Sequence, residues 1–170
     1  MSAIGATGLQ LYNFGQAVSM VFFTDTWKPS SYYDRIKENA NIGLHTLLLL
    51  DIKVKEQTVE NLVRERNIYE PPRFMTVAQC AQQMIETEQE RQDGICRPNA
   101  LAVGVARIGS REQTIVAGTL EDLTQADLGP PLHSVVLLGK RTHYLERTYI
   151  SQYAVNKDTL EEVWKRDYDG

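Results

Sequence analysis

Four consecutive leucines, Leu47 to Leu50, run directly into Asp51, and this run limits the fold more than any other feature of the chain. A short, continuously apolar run that ends in a polar residue reads as a strand covered on both faces, because a half-solvated strand would alternate. Its full extent is residues 46–52, and four more segments rich in branched or aromatic residues read the same way: 18–23, 101–108, 114–120 and 134–138. Helical patterns lie between them. Residues 32–41 follow Pro29 and Ser30 and stop before Gly43; residues 58–66 place Val59, Leu62 and Val63 on one face. From Thr76, Val77, Ala81, Met84, Ile85 and Glu88 recur at helical steps, with Thr76 and Gln79 at capping-box spacing. Residues 120–128 close on Gly129-Pro130-Pro131, and residues 158–166 set Leu160, Val163 and Trp164 against the body. The polar stretch 89–99 reads as an exposed loop. Strands interleaved with helices indicate an α/β fold: a mixed, mostly buried sheet of about five strands with flanking helices, one antiparallel hairpin turning near residues 110–113.

At 170 residues, 42% hydrophobic and 24% charged, the chain is long enough to bury one real core. A net charge of -4 with scattered Lys and Arg gives no footprint for direct nucleic-acid binding. The first 24 residues lack Asp, Glu, Lys and Arg, yet Gln10, Asn13, Gly15 and Gln16 interrupt them, so no membrane span or signal sequence is expected. A buried helical or linker segment over 3–14 is the simpler reading. Cys80 and Cys96 are too few to staple a domain of this size, which points to a reducing compartment and a cytoplasmic location.

His45, His133 and His143 are far apart and form no HExxH or Cys/His cluster, so no metal site is expected. Asp51 is placed at the C-terminal edge of its strand, where open α/β sheets bind ligands, or is simply a turn carboxylate. His133 opens a strand and either faces a cleft or hydrogen-bonds a backbone carbonyl. The aromatics Tyr32, Tyr33, Tyr69 and Phe74 read as core or dimer contacts rather than cofactor stackers. No residue is assigned as catalytic.

Several islands, in order, resemble the diphthine synthase family: Gly8-Leu9-Gln10-Leu11-Tyr12 with Phe14-Gly15; Thr24-Asp25-Thr26-Trp27-Lys28-Pro29; His45 to Glu56; Tyr69-Glu70-Pro71-Pro72-Arg73-Phe74-Met75-Thr76; Ala106-Arg107-Ile108-Gly109; Ala117-Gly118-Thr119-Leu120; and Asp127-Leu128-Gly129 with Pro131-Leu132-His133-Ser134. The helical insert before Pro71 resembles the eukaryotic branch, diphthine methyl ester synthase. The resemblance implies the C-terminal portion of a tetrapyrrole-methylase-like methyltransferase: residues 1–15 as a remnant of the interdomain linker and first helix, 16–150 as the C-terminal methyltransferase domain, and 151–170 as a tail with a short helix. It further implies S-adenosylmethionine as methyl donor, with Leu50, Ile108 and His133 among its contacts, elongation factor 2 as protein substrate, and a homodimer. The glycine-rich N-terminal domain of the family has no counterpart in the sequence, so the catalytic unit is expected to be incomplete. The alternative is a non-catalytic dimerisation or assembly module derived from the family.

Overall fold

The computed structural model describes residues 2–53 and 72–168. The helix expected over 58–66 and Tyr69 lie outside them. The uncharged opening of the chain forms a short helix, α1 (Ser2–Thr7), and a single 3-10 turn at Leu11–Asn13, where Leu11 and Tyr12 are exposed rather than buried. Five strands then build the sheet: β1 (Val18–Met20), β2 (Thr46–Leu50), β5 (Leu101–Ala106), β6 (Thr114–Thr119) and β7 (His133–Leu137), in the spatial order β1-β2-β7-β5-β6. β1 and β2 are parallel, with Val18 opposite Leu48 and Met20 opposite Leu50, and the remaining neighbours are antiparallel. The expected hairpin is β5–β6. A separate two-stranded ribbon pairs β3 (Ile52–Lys53) with β4 (Arg73–Phe74).

Alternation along the strands divides the core in two. Val18, Met20, Leu48, Ala102, Ala106, Val135 and Leu137 face α2 (Ser31–Asn41), α3 (Val77–Arg91) and α4 (Leu120–Thr124), which contribute Tyr33, Ile36, Cys80, Met84, Leu120 and Leu123. Leu101, Val103, Val105, Ile115, Ala117 and Val136 face the other way, onto Leu9, Ile150 of α5 (Tyr144–Ser151), and Leu160, Val163 and Trp164 of α6 (Lys157–Asp167). All six residues of β5 are therefore buried. The small residues Ala102, Gly104 and Ala106 let α3 sit close: a Cβ on Gly104 would come within 2.8 Å of Val77 Cγ1. The outer edge of β6 is covered by the chain at Tyr153–Val155. Ala117 N–H donates to Tyr153 O (2.9 Å) and Val155 N–H to Ala117 O (2.9 Å), so an edge open to pairing is closed by the chain itself.

Several boundaries differ from those read in the sequence, each for a local reason. β1 stops at Met20 rather than 23 because Gln83 of α3 takes over the ladder: its amide donates to Val21 O (2.9 Å) and its carbonyl accepts from Phe23 N–H (2.9 Å). The strand expected over 46–52 breaks at Asp51, whose N–H turns to Met20 O (3.0 Å) while its C=O accepts from Met75 N–H (3.0 Å). β5 ends at Ala106 because Arg107 has φ of 50°. Residues 89–99 are not a free loop. α3 runs on to Arg91, and the buried Glu88 carboxylate then accepts from Tyr33 Oη (2.9 Å), Gly94 N–H (3.0 Å) and Cys96 N–H (2.7 Å), pinning the turn to the helix. α5 carries no familiar start signal in the sequence, since histidine is an uncommon N-cap; here His143 Nδ1 accepts from Leu145 N–H (3.1 Å).

The capping box expected at Thr76 is formed in both directions: Gln79 N–H donates to Thr76 Oγ1 (3.2 Å) and Thr76 N–H to Gln79 Oε1 (3.0 Å). Thr76→Ala is expected to cost about 1 kcal/mol, the usual loss for removal of an N-cap hydroxyl. Urea unfolding measures it, and an unchanged midpoint would show that α3 is held by packing alone.

Candidate functional site at one edge of the sheet

Of the three residues singled out as ligand contacts, Leu50 and His133 lie in different strands and Ile108 just past a third, and the sheet brings all three to one edge. Leu50 ends β2. His133 begins the antiparallel β7, opposite Ala106 at the end of β5, and Ile108 follows two residues beyond. The β2–β7 register runs from Thr46↔Leu137 to Leu49↔Ser134, so Leu50 and His133 lie one step beyond its last pair. Leu50 packs against the core on the α3 side and Ile108 against the core on the α6 side, so these half-buried aliphatic side chains flank the edge from opposite faces. This is the edge where the parallel strands β1 and β2 end, the usual ligand position in open α/β sheets.

The buried imidazole of His133 is held by its own chain. Nδ1 accepts from Val77 N–H, the first turn of α3, at 3.1 Å, and Nε2 lies 2.9 Å from Gly129 O and 3.1 Å from Pro130 O. A ring that accepts at Nδ1 and faces carbonyls at Nε2 is the neutral Nε2–H tautomer. Of the two readings open from sequence, the ring satisfies the backbone-carbonyl one. It ties the 129–130 turn to the helix beneath the edge.

Arg107 completes this rim, and local patterning gave no hint of it. Its left-handed backbone is uncommon for a residue with a Cβ, and its side chain reaches three places: Nε to Glu112 O (3.1 Å), one terminal nitrogen to Thr114 Oγ1 (3.1 Å), the other to Pro130 O. Arg107 thereby fixes the β5–β6 turn and the turn before β7 to one another on either side of Ile108. Asp51 behaves as a turn carboxylate, accepting from Phe22 N–H at 3.4 Å.

A second polar cluster lies inside the fold. His45 and Glu146, 101 residues apart, are both fully buried and meet at 2.9 Å. Glu146 also accepts from Gln10 N–H (2.8 Å), Asn13 Nδ2 (2.6 Å) and His143 N–H (2.8 Å), while His45 Nδ1 accepts from Gly139 N–H (2.8 Å). Burial pushes the Glu146 carboxyl up, but the hydrogen bonds from His45 and from the His143 and Gln10 N–H groups outweigh it and hold the group down at about 2. The cluster joins the 10–13 segment, the start of β2, the end of β7 and α5. Among the described residues, no group of three or more His, Cys, Asp or Glu is arranged to hold a metal, and no helix is long and apolar enough to cross a membrane.

No family model matches the sequence. Curated relatives do. The chain is 68% identical over 165 residues to a diphthine methyl ester synthase of Emericella nidulans, covering 97% of this chain and 58% of the relative. With the enzyme of the same name from Schizosaccharomyces pombe it is 58% identical over 165 residues, again 97% of this chain and 58% of the relative. A crystal structure described as a diphthine synthase from Entamoeba histolytica has the same fold at TM-score 0.80 and 40% identity, over 91% of this chain and 56% of that one. Another diphthine synthase structure matches at TM-score 0.71 and 27% identity, over 96% of this chain and 54% of that one. Its sequence identity and its sheet agree with these relatives over nearly its whole length, and the chain, which spans somewhat over half of theirs, belongs to the diphthine synthase family.

Proposed function

We propose that the chain supplies the C-terminal share of an S-adenosylmethionine-dependent methyltransferase, a diphthine methyl ester synthase acting on the modified histidine of elongation factor 2. The observation that carries this reading is 68% identity, over 97% of the chain, to a protein of that name. The sheet edge supports it, because Leu50 and Ile108 offer an apolar frame suited to an adenine. S-adenosylmethionine, when bound, supplies an electrophilic methyl group on a sulfonium.

Transfer of that group needs alignment and exclusion of water more than acid or base side chains. On this reading the chain acts by positioning. Leu50 and Ile108 wall the nucleoside. His133 contributes beside it, and since both ring nitrogens are satisfied by backbone groups, it also keeps the 129–130 turn in place. Arg107 holds the two turns at a fixed separation. No side chain is assigned as proton acceptor. The proposed enzyme is a cytoplasmic homodimer; exposed Leu11 and Tyr12, next to exposed Tyr144, Leu145 and Tyr149 on α5, suit an assembly surface.

The test is mass spectrometry of elongation factor 2 carrying the unmethylated histidine precursor, after incubation with the chain and S-adenosylmethionine, with and without the portion of the relatives outside the match. Mass gains in steps of one methyl with the complement present are expected. Gains from the chain alone would place a sufficient active site within it. No gain in either arm would overturn the proposal and leave the dimerisation or assembly module.

A further inference from the structure

The opposite end of the sheet, away from Leu50 and His133, is hollow. Where β7 ends and β5 begins, a cavity of about 400 Å³ is lined by the apolar Ile95, Ala100 and Leu137 and by Arg97, Lys140, Tyr168 and the carboxylate of Asp93. That volume falls in the range of small-molecule sites. We propose that this cavity binds a small organic oxyanion: a phosphate or carboxylate head group carried on a compact apolar body.

The argument starts from Arg97. Its Nε is the one buried side-chain nitrogen or oxygen among the described residues with no hydrogen-bond partner. A shielded donor left without an acceptor costs free energy, and although the Arg97 side chain as a whole is 41% exposed, this one atom has no partner from the chain. The carboxylates nearby are committed elsewhere. Asp167 accepts from Arg166 at 3.0 and 2.9 Å and forms an ion pair with the Arg97 terminal nitrogen at 3.8 Å, too long for a hydrogen bond, and it is no partner to Nε. Asp93 is taken by Lys37 at 3.2 Å and faces Arg91 at 3.9 Å.

Two further donors border the same space. Lys140 is exposed and within 4 Å of no carboxylate among the described residues. The Tyr168 hydroxyl oxygen accepts from Leu101 N–H (2.9 Å), which leaves its own hydrogen to donate. A guanidinium, an ammonium and a phenol around a partly apolar cavity match an oxyanion on an apolar body, and guanidinium is the side chain best shaped for carboxylate and phosphate. The inference is independent of the methyltransferase reading, since the two sites occupy opposite ends of the sheet.

The experiment is an NMR titration of the intact ¹⁵N-labelled chain with phenyl phosphate, benzoate, inorganic phosphate and benzyl alcohol, following the Arg97 Nε–H signal and the backbone amides of Ile95 and Lys140. Saturable shifts are expected with phenyl phosphate or benzoate, the tighter of the two assigning the head group, with weaker binding of inorganic phosphate and none of benzyl alcohol. Arg97→Gln and Lys140→Gln should each weaken the better probe about tenfold, the effect of one lost charge-assisted contact. Absence of saturable shifts with both organic anions, equal binding of the neutral alcohol, or unchanged binding in Lys140→Gln, whose exposed side chain leaves the fold intact, would overturn the proposal.

Discussion

Glu146→Ala is expected to lower the unfolding free energy by about 3–5 kcal/mol, the usual loss when one partner of a buried, hydrogen-bonded charge is removed. The carboxylate is fully buried and accepts from four donors: the His45 ring, the Asn13 amide, and the N–H groups of Gln10 and His143. Alanine leaves the buried His45 and Asn13 donors with no acceptor and the part-buried Gln10 and His143 N–H groups without their carboxylate, and each unsatisfied buried donor carries its own desolvation cost. The same carboxylate predicts a pH dependence. Its folded-state value, about 2, lies below the ordinary 4.5, so its contribution is fully present above about 4.5 and is lost as pH falls toward 2. That difference corresponds to roughly 3 kcal/mol by linkage. Urea unfolding at pH 7 and at pH 3 should therefore show the gap between wild type and Glu146→Ala narrowing in acid. A variant within 1 kcal/mol of wild type at pH 7 would mean that water replaces the carboxylate and that the 10–13 segment is held by packing.

That cluster also shows what local sequence reading does not reach. The strands were legible because continuous apolar runs have few alternatives in a chain this long, and α3 was legible because Thr76 and Gln79 carry a cap signal within four residues. His45 and Glu146 stand 101 residues apart, and neither sits in a pattern that names the other. Gln83 looks like the polar face of a helix and Glu88 falls in step with its apolar stripe, yet one ends β1 and the other secures the 94–96 turn. Even the four leucines are not equivalent: Leu48 is fully buried while Leu49 is 49% exposed, because β2 runs out past the cover on its second face. At the candidate site, the gathering of Leu50, Ile108 and His133 depends on sheet order, with β7 inserted between β2 and β5, and strand order is not encoded in any one segment.

The tail supplies the second large effect. Trp164→Ala is expected to destabilise the whole domain by about 3–5 kcal/mol, as large-to-small core substitutions of aromatic residues do, and to lower the melting temperature by roughly 10 °C for a chain of this size. Trp164 is 1% exposed, with Leu160 and Val163 buried beside it, and these three complete the core above Leu101, Val103 and Val136. The Arg147 guanidinium lies 5.4 Å from the indole centroid and the Tyr168 ring 5.8 Å away, so the indole also bridges α5 and the end of α6. Without this cover, the face of β5, β6 and β7 opposite α3 would be left to Leu9 and Ile150, while β6 keeps its ladder with β5 and its edge contacts with Tyr153–Val155. Calorimetry distinguishes the two possible roles of residues 151–168. A single transition shifted down by that amount shows that they belong to the same cooperative unit as the sheet that positions Leu50 and His133. A main transition left in place, with a small early melting step, would show that α6 is an appendage and that the sheet is stable without it.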